Sequence, residues 1–172
     1  MFDKKLTMVR AYELVNRKTT RLYNQIIIIR AIKIKYMFET NNGLEIVKYE
    51  QGGDNCNLVS NDATSIIENS NFVSIFCEDF YKILLEQHID ISNLVITPEL
   101  DYVCPDYISS KILETITTSL SLKSVKIDFR IITLHIFGFE QVMEILSFVN
   151  PKSLRSLSLE FPVSCSQEDI EE

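Results

Sequence analysis

Residues 138–161 read GFEQVMEILSFVNPKSLRSLSLEF, and this stretch decides the fold. Phe139, Val142, Met143, Leu146 and Val149 recur at helical spacing and predict one apolar stripe on a helix. Leu154, Leu157 and Leu159 follow the L-x-x-L-x-L spacing of a strand entered from a turn. Asn150-Pro151 divides the two, because proline cannot continue a helix and pushes the residue before it out of the helical region. The spacing predicts a helix-then-strand unit with Leu157 pointing into the core.

Two earlier stretches repeat the unit. A helix from Ser74 carries Phe76, Phe80, Ile83 and Leu84 on one face and precedes Ile91-x-x-Leu94-x-Ile96, which Pro98 closes. Pro105 opens a second helix, with the stripe Ile108, Ile112, Leu113, Ile116 and Leu120, followed by Leu122-x-x-Val125-x-Ile127. The strand anchors Ile91, Leu122 and Leu154 stand 31 and 32 residues apart. That period predicts an α/β fold, a short irregular leucine-rich-repeat-like solenoid of helix-strand units with a parallel sheet. The consensus Asn or Cys after the strand is missing from all three units, which makes the repeat irregular.

Upstream, Ile26–Tyr36 turns from a β-branched run into strict alternation and reads as one strand. Asn41-Asn42-Gly43 tolerate positive φ, and Leu44–Tyr49 alternate again, so 30–50 is expected to be a β-hairpin capping the N-terminal edge of the sheet. Ile29, Ile32 and Ile34 fit the strand spacing of the repeat. Gln51–Asn61 reads as a turn-rich surface loop; its Gly52-Gly53 pair lacks the motif spacing of a phosphate cradle and leads into no helix. Residues 62–71 receive no assignment. Asp3 to about Tyr23 reads as one or two helices with a basic face. The expected organisation is a basic helical arm at 1–25, an α/β repeat domain at 26–161 and an acidic tail at 162–172.

The 172 residues carry a net charge of −7, unevenly spread. Residues 1–35 hold nine Lys and Arg against Asp3 and Glu13, a local +7, so the remainder is −14. Such a body lacks the basic footprint that phosphate backbones require, and the arm is expected to lie on its own acidic domain. The beginning of the chain has no apolar core of a secretory signal, the longest apolar run is Ile26–Ile29, and no N-x-S/T acceptor occurs. The expected compartment is therefore the reducing cytoplasm or nucleus, with Cys56, Cys77, Cys104 and Cys165 as thiols. These cysteines lie 21, 27 and 61 residues apart, and with only His88 and His135 to assist them no zinc spacing arises. No nucleophile-elbow, P-loop, dinucleotide or zincin motif is present. His88 suits the C-terminal end of the Ser74 helix, His135 an alternating strand, and Cys77 and Cys104 the interior. No catalytic, cofactor-binding or metal-ligating residues are assigned, and no cofactor is expected.

FCEDFYKILLEQHIDISNLVI, ILETITTSLSLKSVKIDF and FEQVMEILSFVNPKSLRSLSLEF, with the hairpin AIKIKYMFETNNGLEIVKYEQ upstream, resemble the nematode F-box-associated FTH domain over about residues 30–161. The step from Val149 through Asn150-Pro151 to Leu154 is the most specific mark. The resemblance implies a substrate-recognition module of SCF-type ubiquitin ligases, placed C-terminal to an F-box. The N-terminus departs from this pattern. Only about 25 residues precede the first expected strand, MVRAYELVNRKTTRLYNQI resembles at most the last helices of an F-box, and no Leu-Pro entry is present. Contact with a Skp-type adaptor is therefore not carried over.

One surface constellation stands out. If the strands align, Ser92, Asn93 and Val95, then Lys123, Ser124 and Lys126, then Arg155, Ser156 and Ser158 face solvent on the concave strand side, where solenoids bind partners. Lys123, Lys126 and Arg155, with Asn93 beside them, form the candidate partner-binding patch. The competing reading is that these charges pair with acidic groups of the same domain or simply keep the sheet soluble. The expected function is a non-enzymatic protein-interaction module with an unidentified target protein, and neither nucleic acid nor membrane as partner. The alternative is an RNA- or small-molecule-binding domain that uses the basic arm.

Overall fold

The computed structural model describes residues 21–40, 43–60, 63–85, 90–99, 103–123 and 126–161. Strands β1 (Arg21–Arg30), β2 (Lys33–Thr40), β3 (Gly43–Gly52), β4 (Asn55–Ser60) and β5 (Ala63–Ile67) come first. Helix α1 (Phe72–Leu85), β6 (Asp90–Pro98), α2 (Asp106–Ser121), β7 (Ile131–Leu134), α3 (Phe139–Ser147) and β8 (Ser156–Leu159) follow. All the strands join one sheet in the order β5-β4-β3-β2-β1-β6-β7-β8. The α/β class and the order of helix then strand are as expected, since α1, α2 and α3 each lead into a parallel strand. The sheet, however, is mixed. β1 to β5 form an antiparallel meander, and only β1, β6, β7 and β8 run parallel.

The meander replaces three expectations. Ile26–Tyr36 is two strands: Ala31 and Ile32 turn the chain so that Arg30 pairs with Lys33. Neither residue has positive φ, so the turn needed none of the Gly or Asn that would have announced it. Residues 51–60 of the expected loop are instead the end of β3, a turn and β4. Gly53, at φ +62°, and Asp54 make a tight turn into β4, whose Cys56 and Leu58 are buried. Residues 63–67 then add β5, and Arg21 already belongs to β1, so residues 21–25 lie in the sheet. The expected hairpin is present as β2 and β3, but it does not cap an edge: β1 flanks it on one side and β4 and β5 on the other. Residues 1–20 of the arm, the 162–172 tail, His88 and Cys165 lie outside the described residues.

Asn71 caps α1 by accepting from the Val73 and Ser74 N–H groups at 2.9 and 3.3 Å, and Phe72, Phe76, Phe80, Ile83 and Leu84 are buried beneath it. α1 lies over β2, β3 and β4; α2 packs on α1, and α3 on α2, so the helices form a row along one face. The strands bury alternate residues toward this row, from Ile27, Ile29, Ile34 and Tyr36 through to Ile132 and Leu134.

The parallel half carries one motif in register. Leu22 lies opposite Ile91, Gln25 opposite Leu94 and Ile27 opposite Ile96; Leu94 and Ile96 in turn lie opposite Ile132 and Leu134, and these opposite Leu157 and Leu159. The L-x-x-L-x-L unit of β7 is thus Phe129-x-x-Ile132-x-Leu134, not Leu122-x-x-Val125-x-Ile127. Ile127 makes only an isolated bridge to Val149. The steps from Leu94 to Ile132 and from Ile132 to Leu157 are 38 and 25 residues, in place of 31 and 32, because α2 is long, α3 is short and residues 122–130 connect α2 to β7. In the last unit Asn150-Pro151 separates helix from strand as expected, although α3 already ends at Ser147 and Val149 bridges to Ile127; Asn150 and Ser153 both donate to the Asp128 carboxylate. The stripe of α3 differs from the expected one: Val142 and Ile145 are buried, whereas Phe139 and Met143 are exposed. Leu157 is 42% exposed, which overturns its expected place in the core.

Candidate functional site

Opposite the helix row, the sheet face is uncovered by any described element, and at its strand-entry end lies a cleft of about 540 Å³. Its floor follows the strand order. Glu39 ends β2, Asn24 lies near the start of β1, Asn93 near the start of β6, and Ile131 and Ser156 open β7 and β8. Asn93 Nδ2 donates to Asn24 Oδ1 at 2.7 Å, and Asn24 Nδ2 donates to the Glu39 carboxylate, giving a side-chain ladder across three strands. One row outward stand Tyr23, Ser92, Arg130 and Arg155. Their alignment is fixed by the backbone: Arg130 N–H donates to Ser92 O at 2.7 Å, and Arg155 N–H to Arg130 O at 2.8 Å.

The two guanidinium groups therefore project from neighbouring parallel strands, roughly 4.8 Å apart at the backbone. Both residues are exposed. Among the described residues neither has an ion-pair or hydrogen-bond partner for its side chain, whereas Arg30, Lys33 and Lys111 are paired with Glu99, Glu50 and Glu114. Like charges side by side repel, and an anion placed between them would remove that repulsion while accepting from two rigid forks.

The expected patch forms only in part. Arg155 and Asn93 share the cleft. Lys123 and Lys126 do not: Lys123 follows the last turn of α2, and Lys126 adjoins the Ile127–Val149 bridge. Arg130 occupies the place expected of Lys123, seven residues further along. The misassigned strand in the second unit hid it, because Leu122, Val125 and Ile127 match the motif as well as Phe129, Ile132 and Leu134 do.

His135 brings together a second group that the sequence did not reveal. Its Nε2 lies 3.2 Å from Ser158 Oγ and its Nδ1 3.4 Å from Glu160. The order of hydroxyl, imidazole and carboxylate is that of a nucleophilic triad. It lacks an oxyanion site, because the N–H groups of a strand lie in the plane of the sheet while Ser158 Oγ stands on its face. None of the three lines the cleft. The trio ties β7 to β8 across the open face.

Cys56, Cys77 and Cys104 are free thiols. Burial pushes the Cys56 and Cys104 thiols up to about 11 and also raises Cys77, so none is poised as a thiolate. Among the described residues no group of three His, Cys, Asp or Glu side chains is placed to hold a metal ion, and no helix is long and apolar enough to cross a membrane. Compared with family models, with curated proteins and with solved structures, the chain matches none.

Proposed function

We propose that this chain is a non-enzymatic protein-interaction module that takes an acidic segment of a partner into the cleft of Arg130, Arg155 and Asn93. The observation that carries the proposal is the pair of guanidiniums, unpartnered among the described residues, at the entries of adjacent strands of a domain whose body is strongly acidic. The cleft is open and polar along its floor, which suits a peptide laid across strand ends better than an enclosed small molecule. It also lies at the entry end of the parallel strands, opposite to the carboxyl end where open α/β sheets hold nucleotides. In the setting implied by the resemblance to FTH domains, the partner would be a protein selected for ubiquitylation.

The test is charge reversal. Arg130→Glu with Arg155→Glu should abolish co-purification of the partner while the melting curve stays within a few degrees of wild type, since both side chains are exposed. Lys123→Glu with Lys126→Glu should leave co-purification intact. Partners retained by the arginine variant would overturn the proposal. So would binding of single-stranded RNA at about 150 mM salt, which would move the function to a nucleic-acid class.

A further inference from the structure

The last helix-strand unit has the pattern of its neighbours without their burial. Leu94 and Ile132 are 1% and 0% exposed, yet Leu157, at the same motif position one strand on, is 42% exposed, and Leu159 is 36% exposed where Ile96 and Leu134 are fully buried. Phe161 is exposed beside them and meets Phe139 at a ring distance of 6.2 Å, which joins the strip on β8 to the outer side of α3. There Phe139 and Met143 are exposed although they fall at helical spacing. Apolar strips of this kind mark an interaction surface.

Among the described residues β8 is also a free sheet edge. Ser156 and Glu160 donate their N–H groups to β7, to Arg130 O at 3.1 Å and Leu134 O at 3.2 Å. By the alternation of a strand, Leu157 and Leu159 then turn their N–H and C=O groups outward. Ser-Leu-Ser-Leu contains none of the lysines, prolines or bulges that usually blunt such an edge.

We propose that this edge pairs with β8 of a second copy, in a two-fold antiparallel arrangement that continues the sheet. The surface is self-complementary, which selects this occupant over others. Among the described residues Leu157 and Leu159 have no helix beyond α3 to cover them, and the Phe139–Met143 side of α3 has no further strand to cover. A second copy supplies both at once. The register follows from the pleat. Leucines must meet leucines on the helix side, and residues with outward backbone groups must face each other. Leu157 therefore pairs with Leu159 of the second copy, and Ser158 meets Ser158 of the second copy on the axis as a non-hydrogen-bonded pair, the closer kind. The cleft of Arg130 and Arg155 lies on the opposite face and stays open.

Sedimentation across micromolar to several hundred micromolar protein, with cysteine cross-linking, tests the proposal. The wild-type chain is expected to dimerise, and Leu157→Asp to weaken the dimer by at least about tenfold; Met143→Glu, away from the edge backbone, should weaken it without touching β8. Ser158→Cys should yield a disulfide-linked dimer on mild oxidation, well above the wild-type background, and Ile66→Cys on the opposite edge strand β5 should not. A wild-type monomer throughout the series would overturn the proposal. An undiminished dimer in both Leu157→Asp and Met143→Glu would overturn it too, as would a Ser158→Cys variant that fails to cross-link.

Discussion

Tyr49 donates its phenolic hydrogen bond to Asp79 Oδ2 at 3.0 Å, joining the middle of β3 to the buried face of α1. Asp79 is nearly inaccessible, and burial pushes its carboxyl up to about 6, with the Tyr49 bond and Lys82 opposing the shift. The folded chain thus holds a proton on Asp79 that the unfolded chain has released, so this group favours folding at low pH. Its contribution falls as pH rises from about 4 to about 6. The shift corresponds to about 3 kcal/mol. Asp79→Asn keeps an acceptor for Tyr49 and cannot ionise. In urea unfolding at pH 4 and pH 7.5, the variant should gain stability over wild type by about that amount between the two conditions; a gain independent of pH would show that Asp79 titrates normally.

Gln25 occupies the position in β1 that Leu94, Ile132 and Leu157 hold in the other parallel strands. It is fully buried; its Oε1 accepts from Tyr36 OH at 2.7 Å, and its Nε2 has no partner among the described residues. Gln25→Leu alone should cost about 1–3 kcal/mol, because it strands the Tyr36 hydroxyl in the core. Gln25→Leu combined with Tyr36→Phe removes every polar atom of the pair, the unpaired Nε2 included. The double variant should equal or exceed wild-type stability. Chemical denaturation of the three proteins checks this, and additive losses would mean that the pair contributes more as a bond than it costs as buried polarity.

Some of this was legible in the residues and some was not. The helices declared themselves through Phe76, Phe80 and Ile83, and through Ile108, Ile112 and Ile116, because a helix buried on one face must repeat its apolar residues at 3.6. β4 was hidden because Gly52-Gly53-Asp54 precede it and two of its six residues are asparagines, while Cys56 and Leu58, alternating among them, are what the core takes up. The hinge at Ala31-Ile32 carries no turn residues at all. The second unit shows a different limit. Leu122, Val125 and Ile127 match the motif as well as Phe129, Ile132 and Leu134 do, and periodicity weighs only the residues present. Arg130 was invisible for the same reason, since a cleft residue is identified by its cross-strand neighbours.

The strand ladder also separates two substitutions that the sequence motif treats as equal. Ile132 and Leu157 lie opposite each other in β7 and β8. Ile132 is fully enclosed beneath the helix row, where a carboxylate has neither water nor a cationic partner, so Ile132→Asp should cost about 3 kcal/mol or more and unfold much of a marginally stable domain. Leu157 stands at the sheet edge with solvent against it. In dilute solution, where self-association is negligible, Leu157→Asp should change stability by no more than about 0.5–1 kcal/mol. Thermal and urea unfolding of the two variants at the same low concentration gives the comparison directly. Equal, severe losses would mean that β8 is covered within the single chain and that its leucines belong to the core; equal, mild losses would mean that the β7 register assigned here is wrong.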